Sequence, residues 1–438
     1  MTETIFSLSS AYGRAGIAVI RMSGPASDAT GLAIAGCLPV PRMATLVSLR
    51  EPGTGVLLDK ALVLRFLDGV SFTGEASWEF HVHGGRAVVK AVLDCLAAQP
   101  GLRLAEAGEF TRRSLENGKL DLTQVEALAD LIDADTEHQR LLALQGLEGA
   151  LGLAARDWRK IIKDIKSLIA ADIDFSDEGD VGDRATNDID SLLKQLQEHF
   201  KAALASGRAG RIVSEGFRIA LIGATNVGKS TLLNALAGSE VAIVTEYAGT
   251  TRDILEVKID LDGFFVVVQD MAGFRETEDV VEKIGISRAY AAAERADLLL
   301  ILDDGNQKVP ELPASLKTIK SIHIRSKSDL GAKINSEGDV AISAKTGEGL
   351  VQMRRLILAE LGAMVQPHEA SIITRERQRL AIEHALDFCL LARTTLPRGI
   401  EFVAENVQRM DQALANLLGL VGIEEVLGAV FSRFCIGK

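Results

Sequence analysis

The residues best suited to chemistry form a glycine-rich stretch, GATNVGKS, from Gly223 to Ser230. It fits the phosphate-binding pattern G-x-x-x-x-G-K-[ST] at every constrained position. Backbone N–H groups of such a loop bind phosphates, while Lys229 reaches the β and γ phosphates and the Ser230 hydroxyl binds magnesium. The predicted nucleotide contacts in and directly after this segment are Asn226, Val227, Gly228, Lys229, Ser230 and Thr231.

Further parts of a GTP site follow in the expected order. The loop AGTTRD carries hydroxyls at Thr250 and Thr251, one of which joins Ser230 on magnesium when GTP is bound. The sequence DMAG then places the Asp270 carboxylate in the outer shell of magnesium and Gly273 beneath the γ phosphate.

The choice of base rests on the segment RSKSDL. Lys327 and Asp329 match the motif N-K-x-D, in which a carboxylate accepts both N–H groups that guanine offers and adenine lacks. Ser326 stands in place of the usual asparagine, and we expect its shorter side chain not to bridge base and phosphate loop, which weakens nucleotide affinity. The loop SAKTGEGL resembles the segment that closes over the guanine edge, with contacts at Ser343, Ala344 and Lys345.

The hydrolytic residues are less familiar. Ras-like proteins orient the attacking water with a glutamine after D-x-x-G, but this chain has Phe274 there. Catalysis therefore needs another polar group, a cation or a partner. The nearby polar candidates are Arg275, Glu276 and Glu282.

A second polar group lies in FTGEASWEFHVHGG, which contains Glu75, Glu79, His81 and His83. Positions 79, 81 and 83 alternate, so their side chains share one strand face and can line a pocket. A metal site needs further ligands that the sequence does not supply. A solvated strand face is the alternative.

The surrounding patterns supply the elements that position these residues. FRIALIG predicts a buried parallel strand before the phosphate loop, and STLLNALAG predicts a helix after it. Asp262 and Gly263 predict a hairpin between two strands. The N-terminal part reads as α+β. Helical patterns begin at Thr123, with Glu126 as a predicted capping box, and return after residue 365. These blocks indicate one helical domain with an inserted nucleotide domain, or two separate bundles.

Composition excludes several classes. The 438 residues suggest about three domains, and 47% hydrophobic with 25% charged residues is typical of a globular protein without membrane spans. A formal charge of −12 argues against a protein that coats nucleic acid. The four scattered cysteines predict neither disulfides nor a zinc site. The beginning, MTETIFSLSS, lacks a secretory pattern, so we expect a cytoplasmic protein.

The chain closely resembles the MnmE (TrmE) family of bacterial tRNA uridine modification GTPases. The resemblance is carried by TIFSLSSAYGRAGIAVIRMSGP, SFTGEASWEFHVHGG, NGKLDLTQ, GATNVGKSTLLNALAG, VTEYAGTTRD and FCIGK. It implies a multidomain α/β + α fold. The expected parts are an N-terminal α+β tetrahydrofolate-binding and dimerisation domain at 1–118, a discontinuous helical domain at 119–212 and 364–438, and an inserted Ras-like P-loop GTPase domain at 213–363.

The resemblance also implies an activity. The family hydrolyses GTP and works with an FAD-dependent partner, MnmG (GidA), in a heterotetramer built on a homodimer. The complex adds an aminomethyl or carboxymethylaminomethyl group to carbon 5 of the wobble uridine of certain tRNAs. The one-carbon donor is 5,10-methylenetetrahydrofolate or 5-formyltetrahydrofolate, and magnesium and potassium are cofactors. GTP hydrolysis drives conformational cycling.

Residue roles follow from matching positions. The resemblance implies potassium ligands at Asn226, Thr245, Tyr247 and Thr250. Asn226, Thr251 and Glu282 serve catalysis, with Glu282 orienting the water and Arg252 and Arg275 nearby. Folate contacts fall on Arg21, Glu79, Lys119 and Lys438, and Cys435 matches a cysteine proposed as a nucleophile. Met271 replaces the family's threonine. A GTP-gated module that binds ribosomal or other RNA remains the alternative function, followed by a folate-storing or sensing protein with a vestigial GTPase.

Overall fold

The computed structural model describes residues 3–174, 182–239, 241–243, 256–271, 292–305, 312–330, 340–365 and 372–421, and residues 428, 430, 431, 434 and 437. The chain forms two compact units. One comprises 1–129, 152–156 and 414–438, and the other comprises 130–151 and 157–413.

The first unit contains a six-stranded sheet in the order β3-β4-β5-β2-β1-β6. Its strands are β1 (Thr4–Leu8), β2 (Ala15–Ser23), β3 (Thr45–Arg50), β4 (Leu57–Phe66), β5 (Ser77–Gly84) and β6 (Leu102–Leu104). β1 pairs antiparallel with β2 and parallel with β6. Helices α1 (Ser27–Ala35), α2 (Arg86–Ala97) and α3 (Glu109–Glu116) complete the α+β architecture that the sequence predicts.

Side-chain alternation along β5 sets the two faces of this sheet. Trp78, Phe80 and Val82 are buried in an apolar core with side chains of β2 and β4. The residues between them, at 79, 81 and 83, lie on the opposite and more open face. The predicted sharing of one strand face by these three polar residues is therefore confirmed.

The second unit contains a sheet in the order β12-β11-β10-β7-β9-β8. Its strands are β7 (Phe217–Gly223), β8 (Glu256–Leu261), β9 (Phe264–Asp270), β10 (Leu298–Asp303), β11 (Ser321–Arg325) and β12 (Val340–Ala341). The pairings between these strands are parallel, except that between β8 and β9, which is antiparallel. The strand order changes direction at β7. Ligands of open α/β sheets bind at the carboxyl ends of strands beside such a point.

Helices make up much of the rest of the described chain. They are α4 (Leu122–Ile132), α5 (Glu137–Leu147), α6 (Ala150–Asp174), α7 (Gly182–Glu215), α8 (Lys229–Ala237), α9 (Leu350–Met364), α10 (Glu376–Thr395) and α11 (Glu401–Leu418). The predicted capping box at Thr123 is wrong by two residues. Asp121 and Gln124 form it instead, because the Gln124 N–H donates to the Asp121 carboxylate and the Asp121 N–H donates to the Gln124 side chain.

The β8–β9 hairpin has the predicted turn. Asp262 and Gly263 both have positive φ, 51° and 84°, as a two-residue type I′ turn requires. The N-terminus of α5 packs on this hairpin, because the His138 N–H donates to the Gly263 carbonyl and the His138 ring stacks on Phe264 at 3.9 Å between centroids. In the described part of the chain, no helix combines the length and apolar character needed to cross a membrane.

Candidate nucleotide site and its companion site

The phosphate loop joins the end of β7 to the start of α8. Asn226 and Gly228 have positive φ, 60° and 109°, and Gly228 caps α8. Gly223 is required at the end of β7, because a Cβ there would lie 2.6 Å from the Leu302 carbonyl oxygen. This strand, loop and helix arrangement confirms the elements that the sequence predicts, and it directs the helix N-terminus at an anion.

Lys229 lies inside this loop. Its Nζ donates to the carbonyl oxygens of Gly223 at 2.9 Å and Ala224 at 3.0 Å. Burial lowers the pKa of Lys229 from its usual value, while the Asp270 carboxylate opposes that effect. An anionic ligand would favour the charged form of a lysine in such a position.

Ser230 and Asp270 form the part of the site suited to a divalent cation. The Ser230 hydroxyl donates to Asp270 Oδ2 at 3.0 Å. Asp270 Oδ1 is buried and has no hydrogen-bond partner among the described residues. A hydroxyl next to a carboxylate with an unsatisfied oxygen fits magnesium, which binds through few protein oxygens together with phosphate oxygens.

The position of Met271 accounts for its apolar side chain. Its side chain is fully buried among apolar residues of β7 and β10, including Ile222 and Ile301. The residue that departs from the family's threonine therefore belongs to the core under the sheet, not to the nucleotide site.

Ser326 is where the structure corrects the sequence-based expectation. Its hydroxyl donates to the Val227 carbonyl oxygen in the phosphate loop at 2.6 Å, and the residue is 3% exposed. The expectation is therefore wrong for the contact with the phosphate loop, while the weaker nucleotide affinity stays a prediction. The segment that follows β11 lies close enough to the phosphate loop for the shorter side chain to make the contact.

The remaining base-site residues lie together beyond β11. Lys327 has φ 58°, Asp329 is exposed, and the Ser328 N–H donates to the Ile342 carbonyl at 3.0 Å. Ser343 is buried, and its hydroxyl accepts from the Thr346 N–H at 3.2 Å. The structure thus brings the base motif beside the loop that contains Ser343, Ala344 and Lys345, as the sequence predicts.

A companion site lies on the open face of the first unit's sheet. Arg21 donates from Nε and Nη2 to Glu79 Oε1 at 3.1 and 2.9 Å. The Arg21 guanidinium carbon lies 5.7 Å from the ring centroids of both Phe72 and Phe110. His81 Nε2 lies 3.4 Å from the second Glu79 oxygen. The structure therefore brings Arg21 and Glu79 together, with two aromatic rings beside the guanidinium.

Lys119 contacts the same region through the loop that carries Phe72. Its Nζ donates to the Gly69 carbonyl, and its side chain lies against Gly74. His83, by contrast, pairs with Asp59, with 2.8 Å between His83 Nδ1 and Asp59 Oδ1. Among the described residues no group of three or more histidine, cysteine or acidic side chains is arranged for a metal ion.

Two family models match the chain. One, described as "GTP-binding protein TrmE N-terminus", covers residues 4–119, and the other, "MnmE helical domain", covers residues 122–435. The chain belongs to the MnmE (TrmE) family. Its relatives in that family include two proteins named "tRNA modification GTPase MnmE". That of Beijerinckia indica is 45% identical over 100% of this chain and 96% of its own length. That of Azorhizobium caulinodans is 46% identical over 100% and 99%.

Solved structures match part of the chain. The G domain of the T. maritima FeoB iron transporter covers 33% of this chain and 97% of its own, with 26% identity and a TM-score of 0.25. That score is too low to support an inference.

Several residues matched to MnmE roles lie outside the described residues. They are Thr245, Tyr247, Thr250, Thr251, Gly273, Glu282 and Lys438, with Arg252, Phe274, Arg275, Glu276 and Cys435. Their predicted roles stay predictions.

Sequence reasoning missed the charged network behind the Arg21 and Glu79 pair. Arg113 donates to Glu75 Oε2 at 2.9 Å and to Glu109 Oε1 at 3.0 Å, and Glu75 also accepts from the Ser23 hydroxyl. Burial alone would raise the pKa of Glu109. Hydrogen bonds from Arg103, the Glu106 N–H and Arg113 instead lower it to about 2. Only the density of charges in EAGEFTRRSLE hinted at this network.

Proposed function

We propose that the protein is a potassium-activated GTP hydrolase that takes part in modifying carbon 5 of the wobble uridine in certain tRNAs. The observation that carries the proposal is the full-length similarity, at 45% and 46% identity, to relatives whose names give a tRNA modification GTPase. Hydrolysis drives a conformational cycle, and the new carbon bond forms elsewhere, with an FAD-dependent partner of the MnmG type.

The nucleotide site supports the first half of this proposal. Lys229 and the backbone N–H groups of the loop bind phosphates, and Ser230 binds magnesium with Asp270 in its outer shell. Asp329, which is exposed at the end of the base motif, accepts the two N–H groups of guanine. Magnesium, when bound, neutralises charge that develops on the phosphates.

Potassium activation rests on Asn226 and on the family pattern. The Asn226 side chain is exposed on the phosphate loop, where its amide oxygen is available to a cation. Thr245, Tyr247 and Thr250 would complete the ligand set, and Glu282 would orient the water. The cation would act where two nucleotide domains of a homodimer meet.

The companion site supports the folate part. Arg21 attracts the anionic glutamate tail of a tetrahydrofolate, Phe72 and Phe110 flank its guanidinium, and Glu79 can accept from a pterin. Lys119 and Lys438 are the further proposed contacts. The donor would be 5,10-methylenetetrahydrofolate or 5-formyltetrahydrofolate, and the protein would act in the cytoplasm.

The decisive experiment measures GTP turnover in potassium chloride and in sodium chloride at equal ionic strength. We expect roughly a hundredfold faster turnover with potassium, the scale of one well-placed electrostatic contact. Asn226→Ala should abolish the difference, and Asn234→Ala, an exposed asparagine on α8, is the matched control. Equal and slow GTP turnover in both salts would refute potassium activation.

A second experiment addresses tRNA. Nucleosides from cells that lack the protein should have lost the wobble modification, and expression of the intact chain should restore it. Unchanged nucleosides, together with copurification of ribosomal subunits, would favour an RNA-binding module instead.

A further inference from the structure

Two acidic residues follow the apolar part of β10 and pair with two cations at the end of β11. Asp303 lies opposite Arg325 in the parallel ladder, and Arg325 Nη1 lies 2.8 Å from Asp303 Oδ2. One step further along, Lys327 Nζ lies 2.8 Å from Asp304 Oδ2. The first pair joins two neighbouring strands of the sheet. The second pair lies in the base motif itself.

The second pair is unequal in exposure. The Asp304 side chain is 4% exposed and that of Lys327 is 36% exposed. A buried carboxylate with a cationic partner holds that partner firmly, because separating them would leave the carboxylate charge uncompensated. Asp304 is therefore a fixed anchor, and Lys327 is the side chain whose direction the anchor determines.

Backbone geometry adds to this constraint. Lys327 has φ 58°, a left-handed conformation that a lysine adopts at some energetic cost. The residue before it, Ser326, is tied to the phosphate loop, and the Leu330 N–H donates to the Lys327 carbonyl at 3.0 Å. With the backbone set and Nζ anchored, the four-carbon stem of Lys327 has little freedom left.

We propose that Asp304 is a positioning residue for guanine nucleotide binding, because it holds the side chain of Lys327, a residue of the base motif, in one direction. A free lysine would have to be ordered each time nucleotide binds. The Asp304 contact orders it beforehand. This inference rests on the proposed GTP site.

The test is a double-mutant cycle on binding and release of a fluorescent GDP analogue. Asp304→Asn should weaken affinity about fivefold, mainly through faster release, the scale of ordering one long side chain. Lys327→Met should produce a similar loss. In the Lys327→Met background, Asp304→Asn should have less than about a twofold further effect, because Asp304 acts through Lys327.

Asp303→Asn is the matched control, since it makes the same charge change one residue away and touches Arg325 rather than Lys327. It should change GDP affinity less than about twofold. Thermal unfolding without nucleotide reports any loss of stability separately.

The outcomes separate the inference from the proposed function. An unaltered affinity in Asp304→Asn, or a full loss that persists in the Lys327→Met background, overturns the positioning role while the GTP site stands. Failure of the unsubstituted protein to bind GDP overturns both.

Discussion

The most specific prediction concerns Ser326, because its hydroxyl connects the base motif to the phosphate loop. Ser326→Ala removes the donor to the Val227 carbonyl oxygen at 2.6 Å, in a site 3% exposed. A buried acceptor without a partner costs about 1–3 kcal/mol. Because the bond joins two parts of the protein itself, much of this cost should appear as a lower free energy of unfolding.

Part of this free-energy cost should also appear as weaker nucleotide binding. A loop that contains Asn226 and Gly228 in left-handed conformations needs anchoring, and a less populated binding-competent loop weakens apparent affinity in proportion. We expect GDP affinity to fall about fivefold, the lower end of that range. Ser326→Asn should bind GDP more tightly than the unsubstituted chain.

Fluorescent GDP titration and thermal unfolding without nucleotide are the assays. Ser328→Ala is the control, since that hydroxyl contacts only the exposed Glu348 carboxylate at 3.3 Å among the described hydrogen bonds of its side chain. If Ser326→Ala leaves both unfolding temperature and affinity unchanged, the loop does not depend on this hydrogen bond. If Ser326→Asn changes nothing, serine is not the cause of a weakened affinity.

Three further predictions follow. The pKa of Glu109, lowered to about 2 from 4.5, lies below its unfolded value, so its stabilising effect is complete above about pH 4.5 and is lost as pH falls towards 2; Glu109→Gln should flatten this acid limb in unfolding followed by fluorescence. Gly223→Ala should cost about 1–3 kcal/mol by overpacking and abolish GDP binding, as calorimetry and titration can check. His138→Ala should lower the free energy of unfolding by about 0.5–1.5 kcal/mol in chemical denaturation, because it removes the ring stack on Phe264. In a Phe264→Leu background the same substitution should cause no additional loss.

Local patterns predicted the local structure well. The strand, loop and helix around Lys229 and the turn at Asp262 and Gly263 follow from residue types within a few positions, since glycine and left-handed geometry are local properties. The capping box moved by two residues because Asp121 and Gln124 offered an equivalent pair. Boundaries depend on such competitions between neighbouring residues.

Contacts between distant segments were not predictable in the same way. Ser326 reaches Val227 across 99 positions, and Arg113 reaches Glu75 across 38. Each contact depends on strand order and register, which no short window encodes. The expectation that Ser326 would not reach the phosphate loop was wrong for this reason, because the distance between two segments 99 positions apart cannot be read from side-chain length alone.

The two departures from the family pattern can be separated by which face of the sheet they occupy. Successive residues of a strand point to opposite faces. Asp270 faces the nucleotide side, where its carboxylate accepts from Ser230, and the next residue, Met271, is buried in the apolar core. A threonine there would lie in the same core, so its replacement leaves the ligand side unchanged. Ser326 lies at the strand ends where the base motif and the phosphate loop meet. Of the two departures, therefore, only Ser326 contacts the phosphate loop, and we expect only its replacement to change nucleotide binding directly.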